Sequence, residues 1–167
     1  MKEYNYCPLC GAPLHTGFID GKTRKCCSNC DFVDYKNPLP VALAVAVKGK
    51  QLLLIKRGIP PKKGIWASPS GFIESGETSE QACLRELKEE TGTSGEIVKL
   101  IGIARREDKE IYGDMLIVQY LVKVTDDKLI PNDEVEDARF FNIPDLPIYY
   151  ANLFQATIAE IQERPPL

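Results

Sequence analysis

From Gly71 to Thr93 the chain reads GFIESGETSEQACLRELKEETGT, which sets Glu74, Glu77, Glu80, Glu86, Glu89 and Glu90 against only Arg85 and Lys88. Residues three and four apart are neighbours on a helix, so Glu86, Glu89 and Glu90 share one arc. Each like-charge pair there costs about 0.2–0.5 kcal/mol. A stripe of carboxylates with no histidine or cysteine on the same arc suits a hard divalent cation, Mg2+ or Mn2+, of the kind that serves phosphate chemistry. The stretch before it, SPSGFIESGE, is glycine-rich and delivers Glu77 to the start of the helix, where it can pair with Arg85 and brace the loop. A merely solvated acidic face would leave that loop unexplained. His15, the single histidine, reads as a hairpin surface residue. The chemistry therefore proceeds without a histidine base, which excludes Ser-His-Asp and Cys-His mechanisms.

A second set of reactive side chains lies before residue 31: Cys7-x-x-Cys10, then CCSNC, with Cys26, Cys27 and Cys30. Two C-x-x-C knuckles at this separation suit tetrahedral zinc, one ion per chain, held by Cys7, Cys10, Cys27 and Cys30. Cys26 competes with Cys27 for the third position, and the C-x-x-C spacing favours Cys27. Four thiolates leave no open coordination site, so this zinc is structural. About thirty residues bury too little apolar surface to fold without such a staple. The alternative of disulfides conflicts with the cytoplasmic setting expected of a chain whose opening, MKEYNYCPLCG, has no apolar signal region.

The elements that must position these groups follow from patterning. Residues 11–25 read as a hairpin turning near Asp20-Gly21, and residues 31–40 (DFVDYKNPLP) as a linker. VALAVAV (41–47) and QLLLI (51–55) form a strand hairpin, and residues 58–71 an irregular Pro/Gly-rich loop. Thr78 to Glu90 is a helix with a Thr78/Gln81 capping box and Gly92 at its end, its Cys83, Leu84 and Leu87 facing the core. Residues 97–106, 115–124 and 138–143 are strands, with the polar loop EDKEIYGD between the first two. A C-terminal helix runs from about Asn152 to Glu163, with Leu153, Ile158 and Ile161 as its apolar stripe. At 167 residues and 44% hydrophobic content, one full domain and a small accessory module are expected. The net charge of −3 gives no reason to expect nucleic-acid or anionic-membrane binding, and no run is long and apolar enough to span a bilayer.

The spacing Gly71-x5-Glu77-x7-Arg85-Glu86-Leu87-Lys88-Glu89-Glu90-Thr91-Gly92 resembles the Nudix box, G-x5-E-x7-R-E-U-x-E-E-x-G-U, and departs from it only at Thr93, where the family has Ile, Leu or Val. With the cysteine module, the YKNP linker, GIWASPSGF and EVEDARFF, the whole chain resembles the zinc-ribbon branch of the Nudix hydrolases, which includes NADH and FAD/ADP-ribose pyrophosphatases. The resemblance implies a zinc ribbon over residues 1–37 and, over 38–167, a Nudix-type α/β/α sandwich with a mixed β-sheet. It implies that Glu86 and Glu90 are metal ligands and that Glu89 is a further ligand or the base acting through water. The Ser70 carbonyl and Glu134 complete the metal set, Glu136, Glu107 and Glu110 being alternatives to Glu134. Glu77 and Arg85 hold the loop, and Tyr35, Phe72, Arg105 and Tyr112 are substrate contacts. Trp66 braces the loop before the box.

The implied reaction is metal-dependent hydrolysis of the pyrophosphate bond in a nucleoside diphosphate linked to another group, of the FAD, ADP-ribose or NADH type. A nucleoside triphosphate pyrophosphohydrolase and a non-catalytic nucleotide- or RNA-binding protein are the alternatives. The SQPWPFP segment of the NADH branch and the proline of many ADP-ribose hydrolases are both absent, and Tyr112 lies a little beyond the tyrosine of dinucleoside polyphosphate hydrolases. A homodimer is compatible with the resemblance.

Overall fold

The computed structural model describes residues 4–60, 62–109, 111–126, 128–147, 158–159 and 161–162. The chain falls into two compact units: residues up to Leu39 with Glu107–Asp114, and Pro40–Arg106 with the residues from Met115 on.

The first unit is built on a three-stranded sheet, β1 (Leu14–Ile19), β2 (Lys22–Cys27) and β3 (Val33–Asp34), in the order β1-β2-β3. Ile19 pairs with Lys22, which leaves a two-residue turn at Asp20 (φ 50°) and Gly21 (φ 75°). Positive φ at both positions matches the right-handed twist of the flanking strands, which is why an Asp-Gly pair stands there. Part of the expected linker is thus a strand, because β3 pairs Asp34 with Lys25 and Val33 with Cys26.

The second unit carries a mixed sheet of seven strands among the described residues. Its main path runs β10 (Val135–Asn142), β5 (Gln51–Arg57), β4 (Leu39–Lys48), β9 (Gly113–Val124) and β8 (Gly95–Asp108). Two short strands replace the expected irregular loop. β6 (Trp66–Ala67) pairs with β5, and β7 (Ser70–Phe72) pairs with β4. The polar loop is also shorter than its composition implies, since β8 runs on to Asp108 and the Asp108 carboxylate accepts the Ile111 N–H at 2.9 Å.

Alternation along β4 explains its unbroken apolar run. Ala42, Ala44 and Ala46 join one core with Ala82, Cys83 and Leu87 of the helix α1 (Ser79–Thr91). Val45 and Val47 join a second core with Ile158 and Ile161 on the other face. Both faces are covered, so no position on the strand needs a polar side chain. The alanine face lets α1 lie close to the sheet. Residues 158–159 and 161–162 are helical, with Ile158 and Ile161 buried as expected, whereas Leu153 and the ends of the expected C-terminal helix lie outside the described residues. Among the described residues no helix is long and apolar enough to cross a membrane.

Candidate active site and metal centres

The acidic site begins where β7 meets β4. Ala42 pairs with Gly71 and Leu43 with Ser70, and Pro69 accepts the Ala44 N–H at 2.9 Å, which fixes the start of the loop on the sheet. The loop then closes on itself: Glu77 Oε1 accepts the Glu74 N–H at 2.7 Å. Thr78 caps α1 with both halves of the capping box formed, and Gly92 ends the helix in the left-handed region at φ 74°. The helix is therefore bounded by local chemistry at both ends.

Arg85 ties the loop to the helix. Its Nε and Nη2 donate to the two oxygens of Glu77 at 3.0 and 2.6 Å, and Nη2 also reaches the Phe72 carbonyl at 3.0 Å. Its Nη1 donates to Glu86 at 2.7 Å and to Glu89 at 3.1 Å. The guanidinium beside Glu77 holds that carboxyl down at about 2. A planar five-donor group is what such a junction requires, and lysine could not replace it.

Glu90 sits deeper than its neighbours. It is buried, and its Oε2 accepts the Ser70 N–H at 2.8 Å. Burial pushes its carboxyl up to about 8; the Ser70 amide and the Arg57 charge oppose the rise, while the charges of Glu86 and Glu134 add to it. Glu86 is also raised, first by burial. Gly71 is the reason Glu86 fits, because a Cβ on residue 71 would stand 2.0 Å from Glu86 Oε1. Glu89 is more open, with its side chain 54% exposed.

Of the late glutamates, Glu134 is the one whose charge is felt at Glu90. Its backbone is pinned, its carbonyl accepting the Gly58 N–H at 2.8 Å and its own N–H donating to Asn132 at 3.0 Å. Glu136 is engaged elsewhere, in an ion pair with Lys56 at 2.6 Å. Glu107 belongs to the first unit, and Glu110 lies outside the described residues. Sequence spacing gave no hint of Arg57, whose position at the end of β5 would have been its only signal.

The structure thus brings Ser70, Glu86 and Glu90 together around Gly71, lets Glu134 act on Glu90 through its charge, and leaves Glu89 at the open rim with Arg85. Glu86 and Glu90, raised first by burial and further by neighbouring carboxylates, are a fit for a divalent cation, which would favour their ionised forms. Phe72, on β7, is 39% exposed beside the box, and Arg105 is exposed on β8. Tyr35 and Tyr112 are placed in the first unit. Tyr35 there packs under Arg24, whose guanidinium lies 4.5 Å from the ring centre, and its hydroxyl donates to Asp20 at 3.3 Å. Trp66 packs edge-on against Phe141 at 4.8 Å and under Arg139 at 5.0 Å. Thr93 is fully buried, and its hydroxyl donates to the Asp126 carbonyl, which satisfies a polar group at a motif position usually aliphatic.

In the first unit the sulfur atoms of Cys7, Cys10, Cys27 and Cys30 all lie within 4.8 Å of one another. Individual separations are 3.6 Å for Cys7–Cys30, 3.5 Å for Cys10–Cys27 and 3.7 Å for Cys10–Cys30. Tetrahedral zinc with Zn–S bonds of about 2.3 Å requires sulfurs about 3.8 Å apart, so the four cysteines fit the ion. A backbone hydrogen bond from Ala12 and then the Cys27 thiol lower Cys10 to about 6, whereas at Cys30 the Phe32 backbone hydrogen bond is outweighed by desolvation and the three neighbouring thiols, which push it up to about 12. Gly11 donates to the Cys7 carbonyl at 2.9 Å and Asn29 to Cys27 Sγ at 3.3 Å, which closes each knuckle. Cys26 is turned away, with its sulfur 3.3 Å from His15 Nε2. Strand alternation separates the two adjacent cysteines: Cys27 joins the cluster and Cys26 packs on the opposite face.

The family model of the NUDIX domain matches residues 37–160. The chain belongs to the NUDIX family. The ADP-ribose pyrophosphatase of Methanocaldococcus jannaschii is 35% identical to this NUDIX protein over 113 residues, 68% of this chain and 67% of that protein. The NAD-capped RNA hydrolase NudC of Pseudomonas fluorescens is 26% identical over 87% of this chain, which spans about half (51%) of that protein. Among solved structures, a NUDIX hydrolase from Nitrosomonas europaea superposes with a TM-score of 0.79 at 25% identity, covering 96% of this chain and 92% of the other.

Proposed function

We propose that this NUDIX protein hydrolyses the pyrophosphate bond of a nucleoside diphosphate joined to a second group, with ADP-ribose the first compound to test. Glu90 carries this reading: a buried carboxylate whose ionised form is opposed by the charges of Glu86 and Glu134. Such a cluster is built for a cation and not for its own stability. Mg2+ or Mn2+ held by Glu86, Glu90, Glu134 and the Ser70 carbonyl would supply charge neutralisation at the diphosphate oxygens.

The remaining work falls to the protein. Arg85, bidentate on Glu77, keeps the Gly71–Glu77 loop against α1, so the carboxylates stay in register with β7. Glu89, open to solvent, would take the proton of the attacking water. Addition of that water across the P–O–P bond of ADP-ribose yields AMP and ribose 5-phosphate. Phe72 offers a ring for a base or sugar beside the box. Residues 1–37 are assigned as the structural zinc ribbon, 38–167 as the hydrolase domain, and the reduced thiols suit a cytoplasmic setting. The M. jannaschii relative, at 35% identity over two thirds of this chain, supports the choice of ADP-ribose.

The test is to incubate the zinc-loaded protein and Mg2+ with ADP-ribose, FAD, NADH and nucleoside triphosphates, separating products by chromatography beside Glu90→Gln. AMP from ADP-ribose, abolished in the variant, is the expected outcome. Turnover of triphosphates with release of pyrophosphate and none of ADP-ribose would overturn it.

A further inference from the structure

Every lysine and arginine between residues 4 and 39 lines one groove. Lys22, Arg24, Lys25 and Lys36 surround a cavity of about 350 Å³ in the first unit, together with Tyr35 and a single acid, Asp34. In sequence the cations look like a short basic hairpin tip and one separate lysine. Folding joins them because β3 pairs only with Lys25 and Cys26, so no strand of the three-stranded sheet lies beside Lys22–Arg24 on that side. Past Asp34 the chain turns at Lys36, which sits at φ 49°, and the space this opens is the groove. A chain with a net charge of −3 has therefore gathered these cations around one groove of its smaller unit.

Aromatic rings stand beside these charges. Tyr35 is 47% exposed with the Arg24 guanidinium over its ring, and Phe18, 79% exposed, shares the β1 face of Thr16, which lines the groove. A polyanion alone would need only the lysines. Cations with exposed rings between them match a strand whose phosphates and unstacked bases are met together. A flat anionic membrane fits a concave groove poorly, and an acidic peptide makes no use of the rings.

We propose that this groove binds a single-stranded polynucleotide, through phosphates at Lys22, Lys25 and Lys36 and a base on Tyr35. The proposal does not depend on the hydrolytic reading, and its test needs no turnover.

A fluorescein-labelled single-stranded oligoribonucleotide of mixed sequence is titrated with the full, zinc-loaded chain without Mg2+, and anisotropy is read at several salt concentrations. Three phosphate contacts give a slope of log affinity against log salt of at most about −2.1, and Lys22→Ala/Lys25→Ala should reduce its magnitude by about 1.4 and weaken binding about tenfold at low salt. The same variant should keep its zinc and its hydrolysis of small substrates. Lys50→Ala/Lys128→Ala, which removes exposed lysines of the other unit, should leave binding unchanged. The proposal is overturned by the absence of saturable binding, by an equal loss in the Lys50/Lys128 control, or by pyrophosphate displacing the strand at equimolar concentration, which would mark a small-anion site. Binding of phosphatidylserine vesicles through Lys22 and Lys25 in preference to RNA would overturn it as well.

Discussion

Glu90→Gln should make the protein more stable while removing its activity. In the folded chain the Glu90 carboxyl is raised to about 8 from an ordinary value of 4.5. A raised folded value means that the stability is complete below pH 4.5, where both states are protonated, and is lost as pH climbs through 8. Each pH unit between the two values is worth about 1.4 kcal/mol, so holding Glu90 protonated at pH 7, where the unfolded chain ionises it, costs the fold about 3 kcal/mol. Glutamine is the neutral isostere: its carbonyl can still accept the Ser70 N–H, and its amide presents donors to a site surrounded by carboxylates. At 2–4 °C per kcal/mol for a chain of this size, the variant should melt about 6–12 °C above the parent at pH 7 and at the same temperature at pH 4.5. Trp66 is the sole tryptophan and lies in the second unit, so its fluorescence follows that unit alone. The scans carry stoichiometric zinc and no other divalent ion. Adding Mg2+ should then raise the parent and leave the variant where it was. A variant less stable than the parent at pH 7, or a gap that does not change with pH, would refute the electrostatic reasoning.

Gly71→Ala places a Cβ on the Glu86 carboxylate and should reduce kcat by an order of magnitude or more, about 1.4 kcal/mol per decade, with Mg2+ affinity falling in parallel in a calorimetric titration. Glu77 is held at about 2 by Arg85, so its contribution is present above pH 4.5 and is lost as pH falls toward 2. Glu77→Gln should therefore flatten the stability curve in that acid window and leave it parallel to the parent above it, as acid-denaturation profiles would show. Cys26→Ser should keep one zinc per chain by metal analysis whereas Cys27→Ser loses it; equal retention would contradict the four-sulfur cluster. Thr93→Val leaves the Asp126 carbonyl without its hydroxyl donor and should cost about 1–3 kcal/mol in urea denaturation.

The helix and its caps could be read from sequence because their determinants are local: Thr78 needs only Gln81, and Gly92 only a backbone turn. The apolar runs gave the central strands for the same reason. What escaped was set by partners distant in the chain. Nothing local marks Ser70–Phe72 as a strand, since its pairing depends on Val41–Leu43. The engagement of Glu136 is set by Lys56, eighty residues away, and the register there by an irregularity in β10 between Val135 and Asp137. Cys26 and Cys27 differ in sequence only by spacing, and it is the pleat of β2 that sends one toward three other sulfurs and the other toward His15. Tyr35, five residues past the last cysteine, owes its place to partners further off, Arg24 over its ring and Asp20 on its hydroxyl, both in the β1–β2 hairpin.

The two faces of β4 should drift at different rates over evolutionary time. On the side of Val45 and Val47 the neighbours are aliphatic, and one branched side chain can exchange for another at small cost. On the side of Ala42, Ala44 and Ala46 each extra methyl group pushes against α1, and α1 carries Glu86 and Glu90. A mutation far from the carboxylates would then lift them from Ser70 and Gly71 and be removed by selection as a loss of activity before it registered as a loss of stability. Descendants of this sequence should vary freely at the valines and keep their alanines.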